Sequence, residues 1–156
     1  MVPVYKQILS PVDGSPTSNR GIEEAIRLAK DQGAKLRFLH MVDAHLVAMD
    51  MSGAVNMAEV LDILREAGVK ILAAAKASAL KEGVAAETAI VDSMIGRVGD
   101  ETVRQAEVWP ADLIVMGTHG RRGVSRLFMG SDAETVIRTS PVPVLLVRCA
   151  EEESPL

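Results

Sequence analysis

Residues 113–134 read LIVMGTHGRRGVSRLFMGSDAE, an aliphatic run that leads through glycines and arginines into a helix-start pattern. The run Leu113 to Met116 has the length and composition of a buried strand. Ser131 and Glu134 have the spacing of a capping box, which predicts a helix that begins at Ser131 and stops before Pro141. A buried strand, a glycine-rich turn and a helix in this order are typical of a parallel α/β sheet.

The rest of the chain repeats this alternation. Four other aliphatic or β-branched runs predict strands, at Val4 to Val12, Leu36 to Val42, Val84 to Val91 and Val142 to Val147. Apolar residues at helical spacing lie between them, at Ile22 to Ala29 before Gly33, Val60 to Ala79 before Gly83, and Ile95 to Ala106 before Pro110. Residues 43–56 match neither spacing and predict a mobile connection. We therefore expect an α/β fold, an open five-stranded parallel sheet with helices on both faces.

Composition limits the function classes. The chain has 156 residues, a net charge of −4 and 3% aromatic residues, which argues against nucleic-acid partners that need a basic field or base stacking. Cys149 is the single cysteine and excludes an internal disulfide; we expect it to be a small buried hydrophobe. The sequence shows neither a signal peptide nor a membrane span, so we expect a cytoplasmic protein. One domain is expected over residues 1–150, with a flexible tail at 151–156.

Ligands of open parallel sheets bind beyond the carboxyl ends of the strands. After the fourth predicted strand, glycines that permit close backbone approach precede a helix start, with arginines between them, which together favour a phosphate site. A plain glycine-rich turn with a solvated basic face fits the same composition. Neither GxxxxGK[ST] nor a GxGxxG after the first strand occurs, which excludes P-loop and standard dinucleotide-binding domains.

The spacing Gly117-x-x-Gly120, nine residues, then Gly130-Ser131 resembles the G-2x-G-9x-G-[S/T] nucleotide signature of the universal stress protein family. The stretches ILSPVDGS, ADLIVMGTHGR and SPVPVLLVR resemble the family's first, fourth and fifth strands. The resemblance covers almost the whole chain. It implies a Rossmann-like, adenine nucleotide α-hydrolase-like sheet of strand order 3-2-1-4-5, and binding of ATP.

The resemblance also implies a set of nucleotide-binding residues around one crevice between the first and fourth strands. The adenine and ribose would contact the ends of the first and fourth strands and the end of the second strand, which neighbours the first. These residues are Pro11, Val12, Asp13, Met41, Val42, Met116 and Gly117. The phosphates would be bound through main-chain N–H groups and a hydroxyl, at Gly120, Gly130 and Ser131, with Arg121, Arg122 and Arg126 nearby. Gly117→Val and Gly130→Val are expected to abolish binding and leave the fold intact.

Asp132 departs from the family pattern, which usually has a small apolar residue after the Gly-Ser pair. A carboxylate in the first helical turn suits the helix dipole, but it would repel a γ-phosphate unless Mg²⁺ intervened. ATP, ADP and AMP therefore remain open as ligands. A nucleotide-dependent sensor or regulator with weak or no hydrolysis is the leading hypothesis. The alternatives are an ATPase and a structural interaction module with an empty pocket.

Other polar residues have simpler interpretations. Asp13 fits an Asx turn as well as a ribose contact. His119 lies in the glycine loop with no partner fixed by spacing, and His40 and His45 are too isolated for a metal site, so we expect no catalytic residue and no protein-bound metal.

The last predicted strand indicates a partner. Residues 142–148 are apolar, and Pro143 places them at a sheet edge because proline cannot donate to a strand ladder. An open apolar edge strand is prone to pair with another chain. We expect a homodimer through this strand, as the resemblance also implies.

Overall fold

The computed structural model describes residues 2, 4–45, 56–93, 97–118 and 129–149. The five strands are β1 (Gln7–Pro11), β2 (Lys35–Asp43), β3 (Ala86–Ser93), β4 (Leu113–Gly117) and β5 (Val144–Val147). The helices between them are α1 (Pro16–Gln32), α2 (Met57–Lys81), α3 (Val98–Val108) and α4 (Ser131–Thr139). All strand pairs are parallel and the order is β3-β2-β1-β4-β5, which confirms the expected fold class and strand order.

Helices cover both faces of the sheet. Apolar side chains of α1 and α2 pack on one face around Phe38, which is fully buried. Those of α3 and α4 pack on the other face around Leu9 and Ile114. Because side chains alternate along a strand, the aliphatic strands supply both cores at once, as parallel sheets require.

The strand ends differ from the sequence prediction for local reasons. β1 begins at Gln7 because the main chain at Lys6 and Gln7 donates to the Asp112 carboxylate. β3 begins at Ala86 because the Val84 N–H closes the end of α2, on the Ala79 carbonyl. β5 begins at Val144, since Ser140 holds Val142 in a turn through both of its main-chain groups.

Three further expectations change. Asp43 ends β2 and Asn56 caps α2, while residues 46–55 of the predicted mobile connection lie outside the described residues. The third helix begins at Val98, and Ile95 also lies outside them. Cys149 is exposed, so the prediction of a buried hydrophobe is wrong. It follows β5 at the sheet edge, beyond the reach of either core.

No helix in the described ranges is both long and apolar enough to span a membrane.

Candidate functional site

The strand order reverses between β1 and β4, and open α/β sheets bind their ligands at such a reversal, outside the carboxyl ends of the strands. From β1 the chain passes into α1 on one face, and from β4 it passes to α4 on the other face. Ile8 pairs with Leu113 and Leu9 with Ile114. Continued by two residues, this register places Pro11 beside Met116, so the two candidate strand ends lie next to each other.

The turn after β1 is fixed by main-chain bonds to β2. The Val12 N–H donates to the Leu39 carbonyl at 2.8 Å. The Val12 carbonyl oxygen lies 2.8 Å from Nδ1 of His40, whose side chain is buried. Val12 is thus held at both of its main-chain groups although β1 ends at Pro11.

Asp13 forms the turn that starts α1. Its Oδ1 accepts the Ser15 N–H at 2.8 Å, and its own N–H donates to the Ser18 hydroxyl at 3.1 Å. Ser15 is the N-cap, with Oγ accepting the Ser18 N–H at 3.2 Å, and Gly14 supplies the positive φ of 83°. The simpler interpretation of Asp13 as an Asx turn is therefore observed, and its contact with a ribose stays a prediction.

Met41 and Val42 follow His40 on β2 and point to opposite faces. Met41 is half-buried and packs against the core beneath α3 and α4. Val42 is buried, with 1% of its surface exposed. Of the two candidate adenine contacts, Met41 therefore has the more accessible side chain, and Val42 would contribute through its main chain.

Gly117 ends β4 against the first turn of α1. A Cβ at this position would lie 2.9 Å from the main-chain carbon and oxygen of Thr17. A Cβ on Gly21, one turn further along α1, would lie 3.2 Å from the Gly117 nitrogen. The close approach indicates that helix–sheet packing needs a glycine at 117, so we now expect Gly117→Val to destabilise the fold as well as to affect binding. Met116, next to it, is buried in the core beneath α3 and α4.

Main-chain bonds join the ends of the glycine loop. The Thr118 N–H donates to the Val147 carbonyl at 3.0 Å, and the Thr118 carbonyl accepts the Gly130 N–H at 2.9 Å. The Gly130 N–H is therefore used within the chain, which corrects its expected role as a phosphate donor. Between these ends, Gly120, Arg121, Arg122, Arg126 and His119 lie outside the described residues.

Helix α4 begins without a side-chain cap. Its N-cap is Gly130, in extended conformation, whose carbonyl accepts the Glu134 N–H at 3.0 Å. The predicted capping box is wrong: Ser131 is the first helical residue, and the Glu134 carboxylate instead accepts from Arg138 at 2.7 Å. The first N–H groups of a helix have no acceptor within the helix, and the positive end of its dipole lies there, so the start of α4 is a place that suits an anion.

An open groove of about 510 Å³ runs from this helix start along α3. α3 and α4 touch closely, since a Cβ on Gly99 would lie 2.9 Å from the Asp132 carbonyl oxygen. The groove carries charges of both signs, with Arg97 3.5 Å from Asp100 at the start of α3. Asp132 lies in its wall, which puts a carboxylate beside the α4 donors.

Sequence reasoning missed the residues that hold the site in place. His40 was judged only as a metal ligand, whereas its partner is the carbonyl of Val12, 28 residues away. Thr118 stands at an unspecified position of the glycine signature, yet its main chain joins β5 to the start of α4. A polar residue inside an apolar strand was the available signal for His40, because a buried polar group needs a hydrogen-bond partner.

Comparison with known proteins gives consistent matches along the chain. Residues 4–148 match the model of the universal stress protein family. A universal stress protein of Methanocaldococcus jannaschii is 35% identical over 151 residues, covering 96% of this chain and 86% of that one. The structure of a family protein from Burkholderia pseudomallei is 32% identical with a TM-score of 0.75, covering 91% of this chain and 95% of that one. A universal stress protein in complex with cAMP is 28% identical with a TM-score of 0.69, covering 94% and 99%.

Proposed function

This chain belongs to the universal stress protein family, and we propose that it binds an adenine nucleotide in the crevice between β1 and β4. The adenosine part would lie against the turn at residues 11–13 and against Met41. The phosphates would extend toward the start of α4.

One observation carries this proposal: α4 begins on Gly130 with no side-chain cap, at the edge where β1 and β4 end side by side. The N–H groups and the dipole at a helix start suit an anionic ligand. The related protein that binds cAMP, an adenine nucleotide, supports the same ligand class.

ATP is the proposed ligand, on the sequence signature from Gly117 to Ser131. Asp132 sets a condition on it, because its carboxylate lies in the first turn of α4 beside the donors. A triphosphate brings more negative charge to this turn than a monophosphate does. We propose that Mg²⁺ offsets the repulsion, so that ATP binds more tightly with Mg²⁺ than without it.

We propose a regulator that responds to nucleotide, with weak or no hydrolysis. Asp13 is the carboxylate that the family pattern brings to the crevice, and its Oδ1 is used by the Ser15 N–H. This favours a structural role for Asp13 over activation of water. Phosphate release over many turnovers that is lost in Asp13→Ala would instead establish a hydrolase.

We further propose a homodimer through β5, acting in the cytoplasm. β5 is an edge strand, and Leu145 within it is 36% exposed. Pairing with the same strand of a second copy would cover this apolar edge. Light scattering at micromolar concentration is expected to give twice the chain mass of 16.7 kDa, and a stable monomer would contradict the proposal.

Mass spectrometry of the small molecules released from gently purified protein tests the ligand. We expect an adenine nucleotide at a substantial fraction of the protein concentration. Protein that carries no nucleotide, and then binds none of ATP, ADP or AMP with Mg²⁺ present, would overturn the proposed function.

A further inference from the structure

His40 lies on β2 with 4% of its surface exposed, and its ring contacts the turn of the proposed nucleotide site. Nδ1 lies 2.8 Å from the Val12 carbonyl oxygen. A carbonyl can only accept, so Nδ1 carries the proton and donates. The bond joins His40, within β2, to Val12, the residue that follows the end of β1.

This bond fixes the residue that leads into Asp13. The Val12 N–H is already held by the Leu39 carbonyl at 2.8 Å, and His40 holds the carbonyl of the same residue. With both groups bonded to β2, the main chain at Val12 has little rotational freedom. The position of Asp13, whose carboxylate and N–H form the start of α1, follows from it.

Gly68 of α2 makes room for the ring. A Cβ at Gly68 would lie 2.4 Å from Cδ2 of His40 and 3.0 Å from its Nε2, too close for any side chain without a shift of the imidazole. Arg65, almost one turn earlier, holds α2 against β3 through its bond to Asp92 at 2.6 Å. The ring of His40 therefore packs beside α2 at the one position where the helix has no side chain.

We propose that His40 is a positioning residue of the nucleotide site, acting through the Val12 carbonyl, with Gly68 as the seat of its ring. The inference rests on the proposed function and adds two residues to it, neither of which touches the nucleotide. Because the turn serves the adenosine end, loss of the bond weakens AMP and ATP by the same factor.

Two substitutions separate the donor from the bulk of the side chain. His40→Asn keeps an N–H donor one bond from Cγ, as Nδ1 is, whereas His40→Leu has a similar shape and no donor. Calorimetric titration with ATP and with AMP is expected to show three- to tenfold weaker binding in His40→Leu, about the effect of one lost hydrogen bond. His40→Asn is expected to stay within about twofold of the original protein.

Gly68→Ala tests the packing of the His40 ring against α2. This test remains valid if the His40→Leu variant does not fold. We expect Gly68→Ala to weaken the binding of both nucleotides about three- to tenfold with His40 present. The effect should be much smaller when it is combined with His40→Asn, because the methyl group then meets only the flexible end of Ile90, 3.0 Å from the Cβ position. Leu72→Ala on the same helix is the control. Leu72 is buried, so its truncation is expected to lower the thermal stability of the protein and to leave the affinities for ATP and AMP unchanged.

The outcomes are distinguishable. If the original protein binds neither ATP nor AMP, the proposed function fails and this inference falls with it. If it binds both, and His40→Leu and Gly68→Ala bind them equally well, the positioning role alone is overturned. Equal weakening by Gly68→Ala with His40 and with His40→Asn would also overturn it, because the methyl group would then act without the ring.

Discussion

Helices α1 and α4 both begin at the carboxyl edge of the sheet, beside adjacent strands, and they begin differently. α1 starts on Ser15, whose hydroxyl accepts a helix N–H, behind a turn closed by Asp13. α4 starts on Gly130, which has no side chain with which to cap the helix.

In the proposed nucleotide site, the capped start of α1 and the uncapped start of α4 would have different roles. At α1 the chain satisfies its own donors, which makes a stiff turn that can hold an adenosine in one position. At α4 we propose that the helix start and its dipole attract the phosphates of the nucleotide. The two helix starts would thus serve the two parts of a nucleotide: electrostatic attraction at α4 for the phosphates, and a rigid turn at α1 for the adenosine.

The largest expected effect comes from filling the space between the end of β4 and the first turn of α1. Gly117→Val places a side chain against the Thr17 main chain, and we expect unfolding to be easier by about 3 kcal/mol because this packing cannot relax cheaply. Thermal and urea denaturation measure it. Ala77→Val, on the exposed side of α2, is the matched control and should change stability by a few tenths of a kcal/mol. An unchanged midpoint for Gly117→Val would contradict the packing role.

Making α4 begin as α1 does is the sharper test of the comparison. Gly130 has φ −60° and ψ 148°, which serine adopts readily, so Gly130→Ser would cap α4 with a hydroxyl. We expect about tenfold weaker ATP binding, since the hydroxyl takes an N–H from the phosphates, with stability raised by a few tenths of a kcal/mol. Calorimetry and thermal denaturation check the two together. Tighter ATP binding would show that the helix start is not the phosphate site.

Removing the cap of α1 is the converse change. Ser15→Ala is expected to cost about 1 kcal/mol of stability because the Ser18 N–H loses its acceptor. ATP and AMP should weaken together, by less than about threefold, since only the adenosine turn loosens. Ser15→Asn restores an acceptor and should restore stability. Selective loss of ATP binding would place phosphates at α1 instead.

The smallest effect is expected at Asp132. Asp132→Asn removes the carboxylate in the first turn of α4 and should raise ATP affinity about threefold without Mg²⁺, while AMP affinity changes less. Glu134→Gln, which removes the other carboxylate of the first turn of α4, is the control. Equal changes for ATP and AMP in Asp132→Asn would contradict a position near the outer phosphates.

The features that could be predicted from the sequence are those that depend on neighbouring residues. Aliphatic runs and helical spacing gave the five strands and the four helices, and Gly33, at φ 63°, ends α1 as expected. The sequence did not predict contacts that depend on residues far apart in the chain. Gly117 is the first glycine of the nucleotide signature by its motif, but its lack of a side chain is required by Thr17, a hundred residues earlier. The helix begins at Ser131 as predicted, but the capping box failed because Gly130 is the N-cap and Ser131 is already helical.

The most direct test compares adenosine with ATP in calorimetric titrations of the same protein, at one ionic strength and with Mg²⁺. The two ligands share everything that the α1 turn would contact, and only ATP reaches α4. We predict that ATP binds and that adenosine binds at least about tenfold more weakly, the contribution of the N–H groups and the dipole at the start of α4. Equal affinities, or no binding of ATP, would contradict the account.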